Sequence, residues 1–273
     1  MIPLTATVIT FNEERNIRDC LESVKWVPNI VVIDSGSTDR TVEIAREHTD
    51  HVTVTDWPGN VQQKNRAIDA APTDWVISID ADERVTPELR TAIEEALATE
   101  PRVAGFSLRR KTHYLGRWIL HSGWYPDRKV RVFDRRRARW GGVNPHDHVK
   151  VKEGGVHDFD ADLLHYTYRN VYHHVEVIDF FTDIAARERE SAGRKPRRLK
   201  MLLNPPFKFF KMFVIQRGFR DGFPGFIIAG LGALYVLLKE AKLWERRELR
   251  RRGLDPDRQP RYSRGPEWRP RKT

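Results

Sequence analysis

Two aspartates separated by one residue, Asp80 and Asp82, directly follow a largely apolar run at residues 75–79. Carboxylates on alternate residues at the end of a strand can reach one hard cation, and both Mg²⁺ and Mn²⁺ prefer oxygen ligands. A cation bound there can bridge to a diphosphate and neutralise the charge that develops on it. The same pair could instead cap the helix expected from Thr86, or belong to a solvated acidic loop. We predict the metal site, because the pair ends a strand whose composition predicts burial.

A third carboxylate, Asp34, ends an earlier apolar run at residues 30–33 and precedes a Ser-Gly-Ser turn. A carboxylate at this point can accept hydrogen bonds from a base or ribose, and Gly36 lets the backbone approach a ligand closely. Ser37 and Asp39 could instead serve to cap the next helix. We predict that Asp34 contacts a nucleotide.

Lys64 and Asn65 lie on the third predicted helix. A lysine cation and an amide are suitable ligands for a diphosphate, although the same residues could simply form a solvated helix face. We predict the diphosphate contact.

The segment His146-Asp147-His148 has three possible interpretations. A His-x-His pair can bind zinc, but no third and fourth ligand follows at a recognisable spacing. The carboxylate of Asp147 could instead act as a general base that takes a proton from a hydroxyl group, and the third alternative is a surface loop. The sequence contains no nucleophile elbow, Walker loop or G-x-G-x-x-G motif, so these other classes of site are not indicated.

The elements that must position these residues alternate between strand and helix over the first hundred residues. Runs at 4–10, 30–33, 51–55, 75–79 and 104–108 are typical of strands, and those at 12–24, 38–48, 60–71 and 86–99 of helices. Such alternation predicts an α/β fold with an open, mostly parallel sheet flanked by helices. Ligands of these sheets lie at the carboxyl ends of the strands, where the polar clusters at 10–14, 34–39 and 80–83 all fall.

The C-terminal part has a different composition. Residues 110–165 are rich in aromatic and basic side chains, as expected for a substrate-binding face, and residues 171–245 become helical and apolar. The stretch 223–238 has sixteen residues without a charge, whereas a transmembrane helix needs about 20. We predict an interfacial or re-entrant membrane-binding region at 204–243. A helical subdomain packed on the sheet and a true membrane span are the alternatives.

Charge and cysteine content set broader limits. Of the total net charge of +10, residues 187–273 carry +15, which leaves −5 for residues 1–186. The basic third could face anionic lipid, nucleic acid or an anionic acceptor. One cysteine, Cys20, excludes an internal disulfide and fits a reducing compartment. We find no signal-peptide pattern and therefore expect a cytoplasmic catalytic domain.

Taken together, the motifs resemble glycosyltransferase family 2. The residues that carry this resemblance are VITFNEE at 8–14, VIDSGSTD at 32–39, QKN at 63–65 and DADE at 80–83. Later segments are similar to the lipopolysaccharide-core glucosyltransferase branch of that family, namely GWYP at 123–126, RVF at 131–133, HD at 146–147, HYTY at 165–168, DG at 221–222 and KEAKLW at 239–244. The resemblance covers about residues 3–245.

The resemblance implies a GT-A fold, a UDP-sugar donor, a divalent cation (Mg²⁺ or Mn²⁺) and inversion at the anomeric carbon. It also implies roles for individual residues, with the nucleotide sugar contacted by Thr10, Phe11, Glu13, Asp34, Lys64, Asn65, Asp80 and Ala81. Asp82, together with Asp80, would bind the metal. Asp147 would be the catalytic base, although that branch usually has His-Glu where this chain has His146-Asp147. One methylene fewer shifts the carboxylate by ~1 Å, a misplacement that can cost on the order of 100-fold in rate.

We therefore expect a catalytic domain at 1–170, a helical membrane or acceptor region at 171–245 and a basic, disordered tail at 246–273. The expected activity is transfer of a sugar, glucose by resemblance, to a lipopolysaccharide-core or other lipid-linked glycan on the inner face of the cell membrane. A polyprenyl-phosphate or polysaccharide enzyme of the same family is an alternative, and so is a basic membrane-binding or nucleic-acid-binding scaffold. A nucleotidyltransferase would have a glycine-rich basic loop after its first strand, and residues 10–15 do not form one.

Overall fold

The computed structural model describes residues 3–99, 102–143 and 146–258. Its strands are β1 Leu4–Thr10, β2 Asn29–Asp34, β3 Val52–Val54, β4 Trp75–Asp80, β5 Glu83–Val85, β6 Gly105–Tyr114, β7 Arg117–Ile119, β8 Asp127–Asp134, β9 Ala138–Val143, β10 His146–Val151 and β11 Val156–His165. Its α-helices are α1 Ile17–Val24, α2 Thr41–Arg46, α3 Asn60–Asp69, α4 Pro87–Ala98, α5 Val171–Ser191, α6 Arg198–Phe210 and α7 Gly222–Arg251.

Nine of the described strands form one mixed sheet in the order β3-β2-β1-β4-β8-β6-β11-β5, with β7 added beside β6. The first four strands of this order are parallel to one another. β8 then pairs antiparallel with both β4 and β6. The predicted α/β fold is confirmed, and its parallel part is the half that the alternating sequence covers. The other half is mixed: β8 and β6 are antiparallel, β11 lies parallel to β6, and β5 pairs antiparallel with β11.

Helices cover both faces of the parallel half because its strands are apolar on both sides. On one face, α1 and α4 bury Ile17, Leu21 and Ile93 against the sheet. On the other face, α3 contributes Ala67 and Ile68. Cys20 is buried on α1, and burial raises the pKa of its thiol well above the ordinary value, so it has the packing role that its helical spacing predicts.

The loops at the carboxyl ends of β1 and β2 are joined to each other by hydrogen bonds. Asn12 adopts a positive φ of 53°, and its side-chain oxygen accepts the Thr38 N–H at 2.8 Å. The N–H of Glu13 in turn donates to the hydroxyl oxygen of Thr41 at 2.8 Å. The predicted starts of the first two helices, near residues 12 and 38, were therefore wrong: the polar residues there link two loops, and α1 and α2 begin later, at Ile17 and Thr41.

The C-terminal helices α5, α6 and α7 pack together and onto the sheet. α6 and α7 are joined through a π-helical turn at Lys211–Ile215 and a 3-10 turn at Gly218–Asp221. Asp221 is buried, and its carboxylate accepts the N–H groups of Leu120 and His121 at 3.2 and 2.9 Å. This carboxylate connects the start of α7 to the loop that follows β7.

α7 continues beyond residue 245, where we expected a disordered tail to begin. Arg246 is buried on this helix and forms ion pairs with Glu190 at 2.7 Å and Asp257 at 2.9 Å. The prediction of disorder is therefore wrong for residues 246–251, where Arg246 and Arg250 both pair with Glu190. Residues 259–273 lie outside the described residues. The helical stretch Gly218–Arg251 is long and apolar enough to cross a membrane by length and composition, with a mean hydropathy of 1.6 in its most apolar part.

Candidate active site

A cavity of about 720 Å³ opens at the carboxyl ends of β1 and β4. Of the residues predicted from sequence, its wall contains Thr10, Phe11, Glu13, Lys64, Asp80, Ala81, Asp82 and Asp147. Residues that had no individual assignment also line it: Trp57, and from the predicted substrate-binding face Arg110, Arg128, Arg131, Trp140 and His165. The structure thus brings together residues from β1, α3, β4, β8, β9, β10 and β11.

Lys64 connects two of the acidic groups in this cavity. Its ammonium nitrogen lies 3.1 Å from Oδ1 of Asp80 and 2.8 Å from Oδ2 of Asp147. The Lys64 side chain is only 6% exposed and also lies over the ring of Trp140, 4.3 Å from its centroid. A buried lysine held by two carboxylates and one aromatic face has a fixed position, which also fixes Asp147 relative to Asp80.

Arg131 holds Asp80 from the other side. Its guanidinium lies 3.0 Å from Oδ2 of Asp80 and 2.6 Å from Oε1 of Glu83, and both Arg131 and Glu83 are buried. Burial alone would raise the pKa of Asp80, but the charges of Lys64 and Arg131 outweigh it and hold that pKa well below the ordinary value. Asp80 is therefore ionised at neutral pH and oriented by two cations.

Asp82 has a different partner, the imidazole of His165 at the end of β11. Nε2 of His165 lies 3.3 Å from Oδ2 of Asp82. Burial raises the pKa of Asp82, whereas the nearby imidazole lowers it, and the result is a pKa below the ordinary value. An ionised carboxylate and an imidazole nitrogen thus face each other on the cavity wall.

The β1 side of the cavity offers groups suited to a neutral, polar ligand. The hydroxyl oxygen of Thr10 is buried and has no hydrogen-bond partner within the described residues. Glu13 accepts a hydrogen bond from Asn16 at 2.7 Å, and burial raises its pKa. An unpaired buried hydroxyl costs stability unless a ligand or water completes its hydrogen bonds, so this wall has the chemistry of a binding surface.

Two predicted contact residues do not line the cavity. Asp34 is fully buried, and one of its carboxylate oxygens accepts the N–H groups of Gly36 and Ser37 at 2.9 and 2.8 Å. Asn65 donates its side-chain amide to the carbonyl of Trp140 at 3.1 Å. Asp34 thus shapes the loop after β2, and Asn65 connects α3 to β9.

Several residues of the site could not be identified from sequence alone. His165, Arg131 and Glu83 belong to the family-like motifs, yet the contacts that give them a role join residues far apart in the chain. Trp57 is 51% exposed on the cavity wall, and an isolated tryptophan before a Pro-Gly pair was a signal that could have been used. His148 lines the cavity, whereas the side chain of His146 lies outside the described atoms.

The residues present fit a cation that is shared with a ligand, not one enclosed by protein. Within the described ranges, no three His, Cys, Asp or Glu side chains converge closely enough to hold a metal ion. Asp82 and His165 provide two adjacent donors, and Mg²⁺ is usually bound by one or two carboxylates together with substrate phosphates and water. Oδ1 of Asp80 lies 3.1 Å from the Lys64 ammonium, so a cation that used this oxygen would compete with that ion pair.

The mixed sheet and the cavity at its strand ends have the architecture of the GT-A class of glycosyltransferases. A family model described as "Glycosyl transferase family 2" matches residues 5–151, more than half of the chain. The protein therefore belongs to glycosyltransferase family 2.

Relatives extend this likeness over nearly the whole chain. The chain is 29% identical over 258 residues to the lipopolysaccharide core biosynthesis glycosyltransferase LpsC of Rhizobium meliloti (strain 1021), covering 92% of this chain and 95% of that protein. It is also 29% identical to an uncharacterized glycosyltransferase of Rickettsia bellii (strain RML369-C), covering 89% of this chain and 86% of that one.

Among solved structures, the chain is similar to glucosyl-3-phosphoglycerate synthase from Mycobacterium tuberculosis, in complex with Mn²⁺ and UDP-glucose. The match covers 40% of this chain and 43% of that chain. The sequence identity is 22% and the TM-score is 0.34, which is too low to say anything about the ligands of this chain.

Proposed function

We propose that this protein transfers glucose from UDP-glucose to a lipopolysaccharide-core or other lipid-linked glycan, with inversion at the anomeric carbon. The observation that carries the proposal is the cavity at the strand ends of a family 2 sheet, in which Lys64 joins Asp80 to Asp147 and Asp82 lines the same wall. The full-length similarity to LpsC, a lipopolysaccharide core glycosyltransferase, supports the class of acceptor.

The donor would lie along the β1 and β4 ends of the cavity. Thr10, Phe11 and Glu13 would contact the nucleoside, with the unpaired Thr10 hydroxyl completing its hydrogen bonds to the base or ribose. Lys64 and Arg131 carry positive charge into the part of the cavity that would receive the diphosphate. Asp34 would act indirectly, by holding the loop after β2 in shape.

Asp82 and His165 would hold a divalent cation, Mg²⁺ or Mn²⁺, and Asp80 would face the ribose or the same cation. When bound, such a cation supplies positive charge that stabilises the departing diphosphate. Asp80 keeps its orientation through Lys64 and Arg131, so its carboxylate can take part without being reorganised during the reaction.

Asp147 would act as the general base. Its carboxylate takes the proton of the acceptor hydroxyl, whose oxygen then forms a bond to the anomeric carbon on the face opposite the diphosphate. The bond between that carbon and the diphosphate oxygen breaks, and its electron pair leaves with UDP. Lys64, 2.8 Å from Asp147, fixes the direction from which the base approaches.

The C-terminal helices would bring the cavity to its acceptor at the inner face of the cell membrane. Large apolar side chains are exposed along α6, the 3-10 turn and the start of α7, including Leu199, Leu202, Leu203, Phe207, Phe210, Phe219 and Phe223. They alternate with lysine and arginine residues, a composition typical of helices that lie in a membrane interface and contact anionic lipids.

The proposal can be tested by measuring UDP release from a panel of UDP-sugars, with and without Mn²⁺, using lipopolysaccharide-core and polyprenyl-phosphate acceptors in parallel. We expect UDP-glucose, the core acceptor and Mn²⁺ together to give the highest rate. Asp160 on β11 offers a control, Asp160→Asn, because its side chain is 87% exposed and does not line the cavity. Equal release with every donor, or release that EDTA leaves unchanged, would contradict the assignment.

A further inference from the structure

A second pocket, of about 230 Å³, lies between α5, α6 and α7. Most of its lining is apolar or aromatic, and includes Trp124, Phe181, Met212, Ile228, Leu231 and Tyr235. It shares no lining residue with the active-site cavity. Since an apolar cavity of about 150 Å³ can hold a benzene molecule, this pocket has room for a section of hydrocarbon chain.

The pocket is lined by groups that remain uncharged at neutral pH, apart from one lysine. Nδ1 of His174 lies 3.0 Å from the hydroxyl of Tyr114, and its ring stacks on Tyr168 with centroids 3.9 Å apart. Burial, with a smaller effect of His173, lowers the pKa of His174 to about 4, so the imidazole is neutral. Gly232 keeps the pocket open, because a Cβ there would lie 2.5 Å from the sulfur of Met212.

Lys208 is the charged residue of this lining, and it has no acidic partner. Within the described part of the chain, neither Lys208 nor the nearby Lys211 and Lys239 forms an ion pair. Burial and the repulsion of these two lysines lower the pKa of Lys208. Elsewhere in the protein, buried cations such as Arg131 and Arg246 have carboxylates within 3 Å. A partly buried ammonium group beside two other cations is therefore a site that an anion would stabilise.

We propose that this pocket binds one anionic membrane phospholipid, with a hydrocarbon chain among α5, α6 and α7 and the phosphate on Lys208, assisted by Lys211 and Lys239. Three lysines without an acidic partner among the described residues select an anionic headgroup, and the apolar lining selects the hydrocarbon chain. Phe207 and Phe210 are exposed on the same helix as Lys208, which would bring the pocket next to the lipids. The site does not depend on the catalytic role proposed above.

The test uses the full-length protein and dihexanoylphosphatidylglycerol, a water-soluble anionic phospholipid, below the concentration at which it forms micelles. Isothermal titration should give saturable one-to-one binding, at least about tenfold tighter than binding of the zwitterionic dihexanoylphosphatidylcholine. Lys208→Gln should remove this preference. Lys200→Gln, which removes an exposed charge from the same helix, should keep it.

A second pair of variants tests the position of the lipid's hydrocarbon chain. Gly232→Leu should fill the pocket and weaken binding of both lipids, whereas Phe223→Ser, at a residue that is 73% exposed and outside the lining, should not. If Gly232→Leu fails to fold, Lys208→Gln still decides the question. Equal affinity for the two phospholipids, or competition by glycerol phosphate as strong as that by the phospholipid itself, would overturn the proposal.

Discussion

The active-site cavity and the surface of the C-terminal helices differ in whether their positively charged side chains have acidic partners. In the cavity, Lys64 and Arg131 are buried and each contacts two carboxylates. Near the second pocket, Lys208 and its neighbours have no such partners among the described residues, and aromatic side chains are exposed beside them. Paired charges fix the geometry needed for a reaction, whereas unpaired charges next to exposed apolar groups suit a surface that is completed by lipid.

The largest expected effect comes from removing charge in the cavity. Asp82→Asn keeps the size of the side chain, and we expect turnover to fall by at least about 1,000-fold, because several kcal/mol of charge stabilisation would be lost. The measurement is UDP release at saturating donor, with Asp160→Asn as the control outside the cavity. A variant that kept a tenth of the activity would show that Asp82 does not support the leaving group.

The next effect is expected at Asp147, which also lies in the cavity. Asp147→Asn should lower kcat by about 10²–10⁴-fold, the usual contribution of a general base, while UDP binding stays unchanged. Asp147→Glu introduces the residue usual in the similar branch, and the displaced carboxylate should cost on the order of 100-fold because Lys64 positions the shorter side chain. A change in KM alone in both variants would be incompatible with the base assignment.

The pairing of buried charge should also be visible in stability. Arg131→Met would remove the cation nearest to the buried Glu83 and one of the two cations at Asp80, and breaking a buried pair typically costs about 3–5 kcal/mol. Arg139→Met is the matched control, because Arg139 pairs with Asp69 at the surface and such pairs contribute about 0–1 kcal/mol. The free energy of unfolding of each variant would be measured with denaturant. Equal losses would mean that the buried ion pairs of the cavity stabilise the fold no more than the surface pair does.

The helical surface should respond to loss of apolar area. Phe207 and Phe223 are 61% and 73% exposed. Replacing both by serine should weaken binding to vesicles containing phosphatidylglycerol by at least about tenfold, since each aromatic side chain would no longer be buried in the interface. Leu254→Ser, at an exposed residue beyond the end of α7, is the control. Unchanged flotation of the double variant would remove the case for this surface as the membrane contact.

Glu13 should show the smallest effect. Burial raises its pKa above the ordinary 4.5, whereas the pKa values of Asp80 and Asp82 are lowered on balance by their positively charged neighbours. A raised pKa means that ionised Glu13 destabilises the folded state once the pH exceeds its folded value. Glu13→Gln should therefore be slightly more stable than the unmodified protein at pH 7, and the difference should vanish as the pH falls below 4.5. The measurement is the unfolding free energy of both proteins across this pH range. If a cation neutralised ionised Glu13 in the folded state, Glu13→Gln would instead be the less stable protein at pH 7.

The sequence was sufficient to predict the parts of the site that depend on strand ends. Asp80 and Asp82 leave β4, and Thr10 ends β1, so the parallel arrangement alone brings them together. The direction in which a side chain points could not be predicted: Asp34 also ends a strand, yet its carboxylate turns back to bind its own loop. Local sequence therefore predicted where these residues lie in the fold, but not the directions in which their side chains point.

Contacts between distant segments were also beyond prediction. His165 meets Asp82 because β11, from a part of the chain whose sequence showed no regular alternation, pairs with β5 and places His165 opposite Glu83. Arg246 looked like part of a charged tail, but Glu190 on α5 pairs with it and α7 extends accordingly. In each case the local structure depends on a contact with a residue that is distant in the sequence, and local composition does not reveal that contact.

Asp221 connects the start of α7 to the loop after β7 through the N–H groups of Leu120 and His121. If α6 and α7 attach the molecule to a bilayer, this link would set the height of the cavity carboxylates above the headgroups. Acceptors would then be sorted by the number of sugar units between their lipid and the hydroxyl that reacts, since a glycan that is too short or too long would place that hydroxyl away from the base.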